Sequence, residues 1–161
     1  MIEQTEQTEL DRIARQEALL RFPRFDETTA WQLGSALRAR AEAQGQAVTI
    51  EIRKAGATLF FCAMPGTTAA NADWARRKRN LVELTQTSSY GTGLTLKRDG
   101  TSLDSTLGLP ARDYTAHGGC FPVFSQGCGW VGTITVSGLP QRDDHELVVG
   151  VVAAHLGVVL D

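Results

Sequence analysis

The sequence predicts an α+β fold, an antiparallel sheet flanked by helices in a single domain. Three observations carry the prediction. Two apolar segments, at 48–64 and 121–136, each fold back across a glycine-containing turn, the mark of antiparallel hairpins. Stretches with apolar residues three and four apart precede, separate and follow them. The 161 residues, 42% hydrophobic and 21% charged, suffice for one core and are too apolar for a disordered segment.

From about Glu3 to Leu20 the residues are good helix formers, with Leu10, Ile13 and Ala14 on a loose stripe. Phe22-Pro23-Arg24-Phe25 breaks that helix, because the residue before a proline avoids helical dihedrals. Asp26 is placed to cap a second helix with Ala30, Leu33, Leu37 and Ala41 on its buried face and Gly45 at its end. Val48, Ile50 and Ile52 alternate with Thr49, Glu51 and Arg53, which predicts a strand with one wet face. After the Lys54-Ala55-Gly56 turn, Thr58 to Met64 is apolar on both faces and reads as an interior strand.

Thr67 and Thr68 offer hydroxyls to cap a helix from about Ala69 to Leu84, and Ser88 to Leu96 reads as a shorter one. The stretch from Arg98 to Ala116, with glycines, Pro110 and many small polar residues, reads as a long surface connection. Phe121–Phe124 and Trp130–Val136 form the second hairpin. The last helix is predicted to start near Asp143 or Asp144, with Val148, Val152, Leu156 and Val159 as its buried stripe. Val149 and Val151 widen that stripe, as for a helix sandwiched in the core or one at a subunit interface.

Composition narrows the function. A net charge of -2 gives no global field for nucleic acid. The N-terminus lacks the apolar region of a secretory signal, and no run approaches the ~18 residues of a membrane span. Cys62, Cys120 and Cys128 are an odd number without a C-x-x-C pair, which points away from disulfides and metal and towards the reducing cytosol. Cys120 and Cys128 read as small hydrophobes that face each other across the second hairpin. Neither G-x-G-x-x-G nor a P-loop occurs, and three scattered histidines set out no triad.

The basic run Arg76-Arg77-Lys78-Arg79 is the clearest local anomaly. Helical spacing puts Lys78 on the inward face with Trp74, Leu81 and Val82, and Arg76, Arg79 and Glu83 in solvent. A buried ammonium requires an anion. That anion is either Glu51 or an aspartate of the chain, or a ligand carboxylate or phosphate with Arg77 as bidentate partner. On the ligand reading, Lys78→Ala weakens anion binding and leaves the fold intact. His117-Gly118-Gly119 pairs an imidazole with glycines that allow close backbone approach. Ser88, Ser89 and Tyr90 could cap a helix or line the pocket of Lys78. His145, beside two acids, is expected at the surface, and His155 packed or at an interface.

Gly132-Thr133-Ile134-Thr135-Val136-Ser137-Gly138 resembles the G-A-I-G-V-S-G strand of the heme-degrading-domain (GlcG/HbpS-like) superfamily, with five of seven positions in agreement. Gly118-Gly119-Cys120-Phe121-Pro122-Val123 is similar to its G-G-V-P-I with one residue added, and Trp74-Ala75-Arg76-Arg77-Lys78 to its I-A-x-x-K. The stretches Leu20–Phe25, Arg76–Asn80, Ala116–Gly119 and Val136–Arg142 resemble the UPF-type branch. The resemblance implies a profilin-like sheet, a domain over 26–161 with a helical extension at 1–25, symmetric homo-oligomers, and heme as a possible cofactor. The expected protein is a cytoplasmic homo-oligomer whose groove, built by Lys78, Arg77, Tyr90, His117, Gly118 and Gly119, takes a small anionic ligand or heme. The alternatives are a protein-interaction module, or an enzyme acting on a small acid or tetrapyrrole with His117 as acid/base.

Overall fold

The computed structural model describes residues 2–161, with side chains from Gln4 onward. The elements follow the predicted order, with one short helix added: α1 (Ile2–Leu19), α2 (Glu27–Ala43), β1 (Thr49–Lys54), β2 (Ala57–Ala63), α3 (Ala69–Thr85), α4 (Ser89–Arg98), α5 (Leu103–Leu107), β3 (Cys120–Ser125), β4 (Gly129–Ser137) and α6 (Gln141–Leu156). The addition is α5, capped by Ser102 inside the stretch expected to be a plain connection. The strands form one antiparallel sheet in the order β2-β1-β4-β3. Local chemistry sets the boundaries. The Asp26 carboxylate accepts from the Thr29 amide at 2.9 Å, and Thr68 and Asn71 form a reciprocal capping box at the start of α3.

Alternation divides the sheet into two unlike faces. Ile50, Ile52, Phe121, Val123, Ile134 and Val136 point to one side and join α2 and α6 in the core. Thr49, Glu51, Thr133, Thr135, Ser137 and Cys120 occupy the other. That face is not wet as β1's pattern predicts: α3 covers it, and all six residues are buried. Among them Glu51 meets Arg79 of α3 and the Thr135 hydroxyl donates to Cys120 Sγ, while the buried Thr49 and Thr133 hydroxyls have no hydrogen-bond partner among the described residues.

β2 also departs from expectation. It is an edge strand rather than an interior one, with Phe61 50% exposed. An unbroken apolar run does not distinguish the two positions, because the neighbour on each side is set by topology. β1 takes β4 as its other partner, and the chain leaves β2 into α3. At the opposite edge, the Phe22 amide donates to the Phe124 carbonyl and the Gln126 amide to the Phe22 carbonyl, both at 2.9 Å. Buried Phe22 and Phe25, ring centroids 5.1 Å apart, anchor this segment. α1 packs on α4 and is tied to α6 through Gln16–His145 and Arg12–Glu146, burying Ile13 and Gln16, with Leu20 buried just beyond its end.

Val149 and Val151 of α6 are as buried as Val148 and Val152 within the single chain, so the broad valine face belongs to a helix packed on several sides. Leu156 is half-buried, and Val159 lies beyond the helix at 84% exposure, outside the predicted stripe. Cys120 and Cys128 do not face each other. Cys120 opens β3 opposite Thr135, and Cys128 sits exposed in the turn at the far end of the hairpin.

Candidate functional site

α3 crosses the polar face of the sheet with Lys78 and Arg79 pointing into it. The Lys78 ammonium lies 2.8 Å from Asp144 Oδ2 and donates to the Val136 carbonyl at 3.1 Å. Both side chains are almost wholly buried. Asp144 also accepts from the Leu139 amide at 3.0 Å and the Gly138 amide at 3.4 Å. Burial pushes its carboxyl up, against the opposing pull of Lys78. The anion that Lys78 requires is therefore supplied within the chain. Arg79, expected in solvent, is also buried and pairs with Glu51 at 3.3 Å.

Around this pair lies a hollow of about 200 Å³, walled by Asn71, Trp74, Lys78, His117, Leu139 and Gln141 among others. His117 stands at its rim, exposed, with its ring 4.9 Å from the Trp74 ring and tilted by 33°. Neither ring nitrogen has a hydrogen-bond partner among the described residues; only its backbone amide does, donating to Thr115 Oγ1 at 3.3 Å. Partial burial, and then the charges of Lys78 and Arg77, hold its pKa below the ordinary value. That shift favours the neutral ring, which keeps one nitrogen lone pair. Arg77 stacks on Trp74 at 4.4 Å and donates to the Ala111 carbonyl at 2.6 Å.

The glycines serve internal packing. Gly119 has φ +135°, and a Cβ there would overlap the Val136 carbonyl oxygen and come within 2.8 Å of Lys78 Nζ. A Cβ on Gly118 would overlap the Gln141 carbonyl, whose side-chain oxygen accepts from the Gly118 amide at 3.1 Å. The 117–119 turn is thereby pressed onto the start of α6, which fixes His117 over the hollow.

Comparison with known proteins places this architecture. Residues 25–153 match the model of a family described as Haem degrading protein HbpS-like. A UPF0303 protein of Azotobacter vinelandii is 58% identical over 92% of this chain and 89% of its own, and one of Serratia proteamaculans is 51% identical over 94% of both. The chain belongs to the HbpS-like family. Among solved structures, Ybr137w superimposes with a TM-score of 0.87 over 98% of this chain and 94% of its own, at 23% identity. That coverage takes in α1. HbpS matches with a TM-score of 0.65 over 83% of this chain and 90% of its own, at 23% identity. A PduOC:heme complex gives the same score over 78% and 90%, at 21% identity. At these identities the likeness is one of fold.

Heme is the group the HbpS-like family name implies. If heme binds, His117 is the residue here whose imidazole nitrogen could hold its iron. The hollow lies below the roughly 300–1,000 Å³ of typical small-molecule pockets. The hollow of one chain is therefore sized for a carboxylate, such as a heme propionate, and most of a porphyrin would lie outside it.

The predicted groove residues do not all converge. Lys78 and His117 line the hollow, Arg77 braces Trp74 beside it, and Gly118-Gly119 form its backing. Tyr90 faces away: its ring backs onto Gly118, and its hydroxyl lies 3.4 Å from Glu9 in a separate hollow of about 530 Å³ under α1. Ser88 caps α4 and Ser89 accepts from the Cys120 amide at 3.0 Å, so neither lines the site. Asn71, Gln141 and Asp144 were missed. Only the need of Lys78 for an anion signalled one of them.

His145 is a further correction. It is 1% exposed, bonded through Nε2 to Gln16 Oε1 at 2.8 Å and packed 4.9 Å from the Tyr90 ring. Burial pushes its pKa down to about 3. His155 is exposed, its ring 6.1 Å from that of Phe22.

Proposed function

We propose that the protein is a homo-oligomeric, cytoplasmic binding protein whose hollow beside His117 takes a small anionic ligand, with heme the first to test. One observation carries the reading: His117 presents an exposed imidazole without a hydrogen-bond partner among the described residues, braced on Trp74 above the hollow. An unused imidazole at the rim of a polar hollow supports a binding role, and a neutral ring supports metal ligation or hydrogen bonding to an acid. Lys78 contributes less than its charge suggests, because Asp144 neutralises it.

Membership of the HbpS-like family, and the PduOC:heme complex within the same fold, favour heme over other anions. The cytoplasmic placement rests on three unpaired cysteines. Among the described residues no helix is long and apolar enough to cross a membrane.

The test is the His117 imidazole proton resonance, followed while acetate, phosphate and hemin are added in turn. A saturable shift with either anion, or selective broadening by hemin, supports the site. A resonance unmoved by all three contradicts it.

A further inference from the structure

The chain treats its two sheet edges differently. On β3 the Phe22 segment takes up outward backbone groups through its bonds with Phe124 and Gln126. On β2 no strand follows, and although its ladder with β1 skips Leu59 at a bulge, the seven residues Ala57–Ala63 contain neither a charge nor a proline. Edge strands of monomeric proteins ordinarily carry such features, which discourage pairing with another chain. The exposed aromatic side chains among the described residues lie at this same edge. Trp31, 66% exposed, stands edge-on to Phe60 at 5.8 Å on the α2 side, and Phe61, 50% exposed, points to the opposite face.

We infer that β2 pairs antiparallel with β2 of a second copy across a two-fold axis, joining two four-stranded sheets into one of eight strands. The inference rests on the homo-oligomer reading and names its surface. A second copy is the occupant that fits. An antiparallel strand is its own complement across a two-fold axis. With Phe60 at the axis, Ala57 comes opposite Ala63 of the other copy; β2 carries no charge, and Lys54 lies one strand in, beside Ala57, so no like charges meet along the seam. The junction also covers Trp31 and Phe60 on one face and Phe61 on the other.

The test combines light scattering with amide hydrogen exchange on the wild-type chain and on Phe61→Lys. The wild type is expected at a multiple of 17.4 kDa with protected β2 amides. Phe61→Lys is expected at half that mass, with β2 exchange accelerated at least about tenfold and unchanged helix content. Thr58→Lys, at another exposed position, repeats the test if Phe61→Lys fails to fold. A wild-type oligomer whose mass survives both substitutions and whose β2 amides exchange freely overturns the β2 surface and leaves the oligomer standing. A wild-type mass of 17.4 kDa overturns both. β2 protection that arises only on adding an unrelated extended peptide assigns the edge to a foreign strand, against the inference.

Discussion

Replacing Lys78 with methionine keeps the stem and removes the charge, leaving the Asp144 carboxylate with only the amides of Gly138 and Leu139. Both partners are under 5% exposed. Breaking a buried pair by removing one partner costs about 3–5 kcal/mol. That is a large share of the ~5–15 kcal/mol that holds a typical domain folded. At roughly 2–4 °C per kcal/mol for a chain of this size, the midpoint falls by about 6–20 °C. Adding Asp144→Asn removes the stranded charge, so the double variant is expected to recover about 1–3 kcal/mol relative to the sum of the singles. The deficit also depends on pH. Burial already raises the Asp144 pKa above 3.8, and loss of Lys78 raises it further. The folded variant then binds a proton more readily than the unfolded chain, so its penalty is full above the raised pKa and fades as pH falls towards 3.8. Urea unfolding of wild type, both singles and the double, near neutral pH and at about pH 5, measures every term. A Lys78→Met deficit under ~1 kcal/mol near neutral pH, or purely additive singles, refutes the reasoning. The expectation that Lys78→Ala spares the fold is thereby reversed, since the ion-pair partner lies inside the chain.

Other consequences follow from the same contacts. His145 is neutral in the fold down to about pH 3 but takes a proton near 6.5 when unfolded. The unfolded chain therefore binds more protons between those values, and the His145 contribution, full above 6.5, is lost as pH falls, by up to ~1.4 kcal/mol per pH unit. Asp144 and Glu51, with raised pKa values, act in the opposite sense. The check is the difference in urea stability between wild type and His145→Gln, which should narrow steadily on acidification. Gly119→Ala is expected to destabilise by more than ~2 kcal/mol, because the positive φ and the Val136 carbonyl both oppose a side chain; thermal unfolding reads it. Towards a thiol reagent in the native protein, exposed Cys128 should react rapidly. Cys120, wholly buried with its pKa pushed up to about 12, should stay inert until unfolding.

Much of the architecture was legible because it is local. The Ile50–Ile52 alternation and the Asp26 and Thr68 caps act over a few residues, and each appears where periodicity and side-chain chemistry put it. What depends on partners distant in sequence was not. Lys78 was legible as inward-facing, yet its partner lies 66 residues away, on a helix whose acids suggested only a favourable N-terminus. His145 between two acids suggested solvent. It is buried because α1, 129 residues earlier, supplies Gln16 to its ring. β2 gave no sign that its second edge is free, and Tyr90, close in sequence to the basic helix, is turned aside by the packing of its ring on Gly118.

The central claim is that His117 and its hollow form a ligand site, and a hemin titration followed by visible absorbance tests it most directly on wild type, His117→Ala and Lys78→Met/Asp144→Asn. The account predicts a saturable, sharpened Soret band at about one heme per chain in the wild type. It predicts that band lost in His117→Ala, with the fold intact, and retained in the pair variant, where the removal of one charge of each sign leaves the net charge of the hollow unchanged. Unsaturable absorbance, or a saturable band indifferent to His117→Ala, contradicts it.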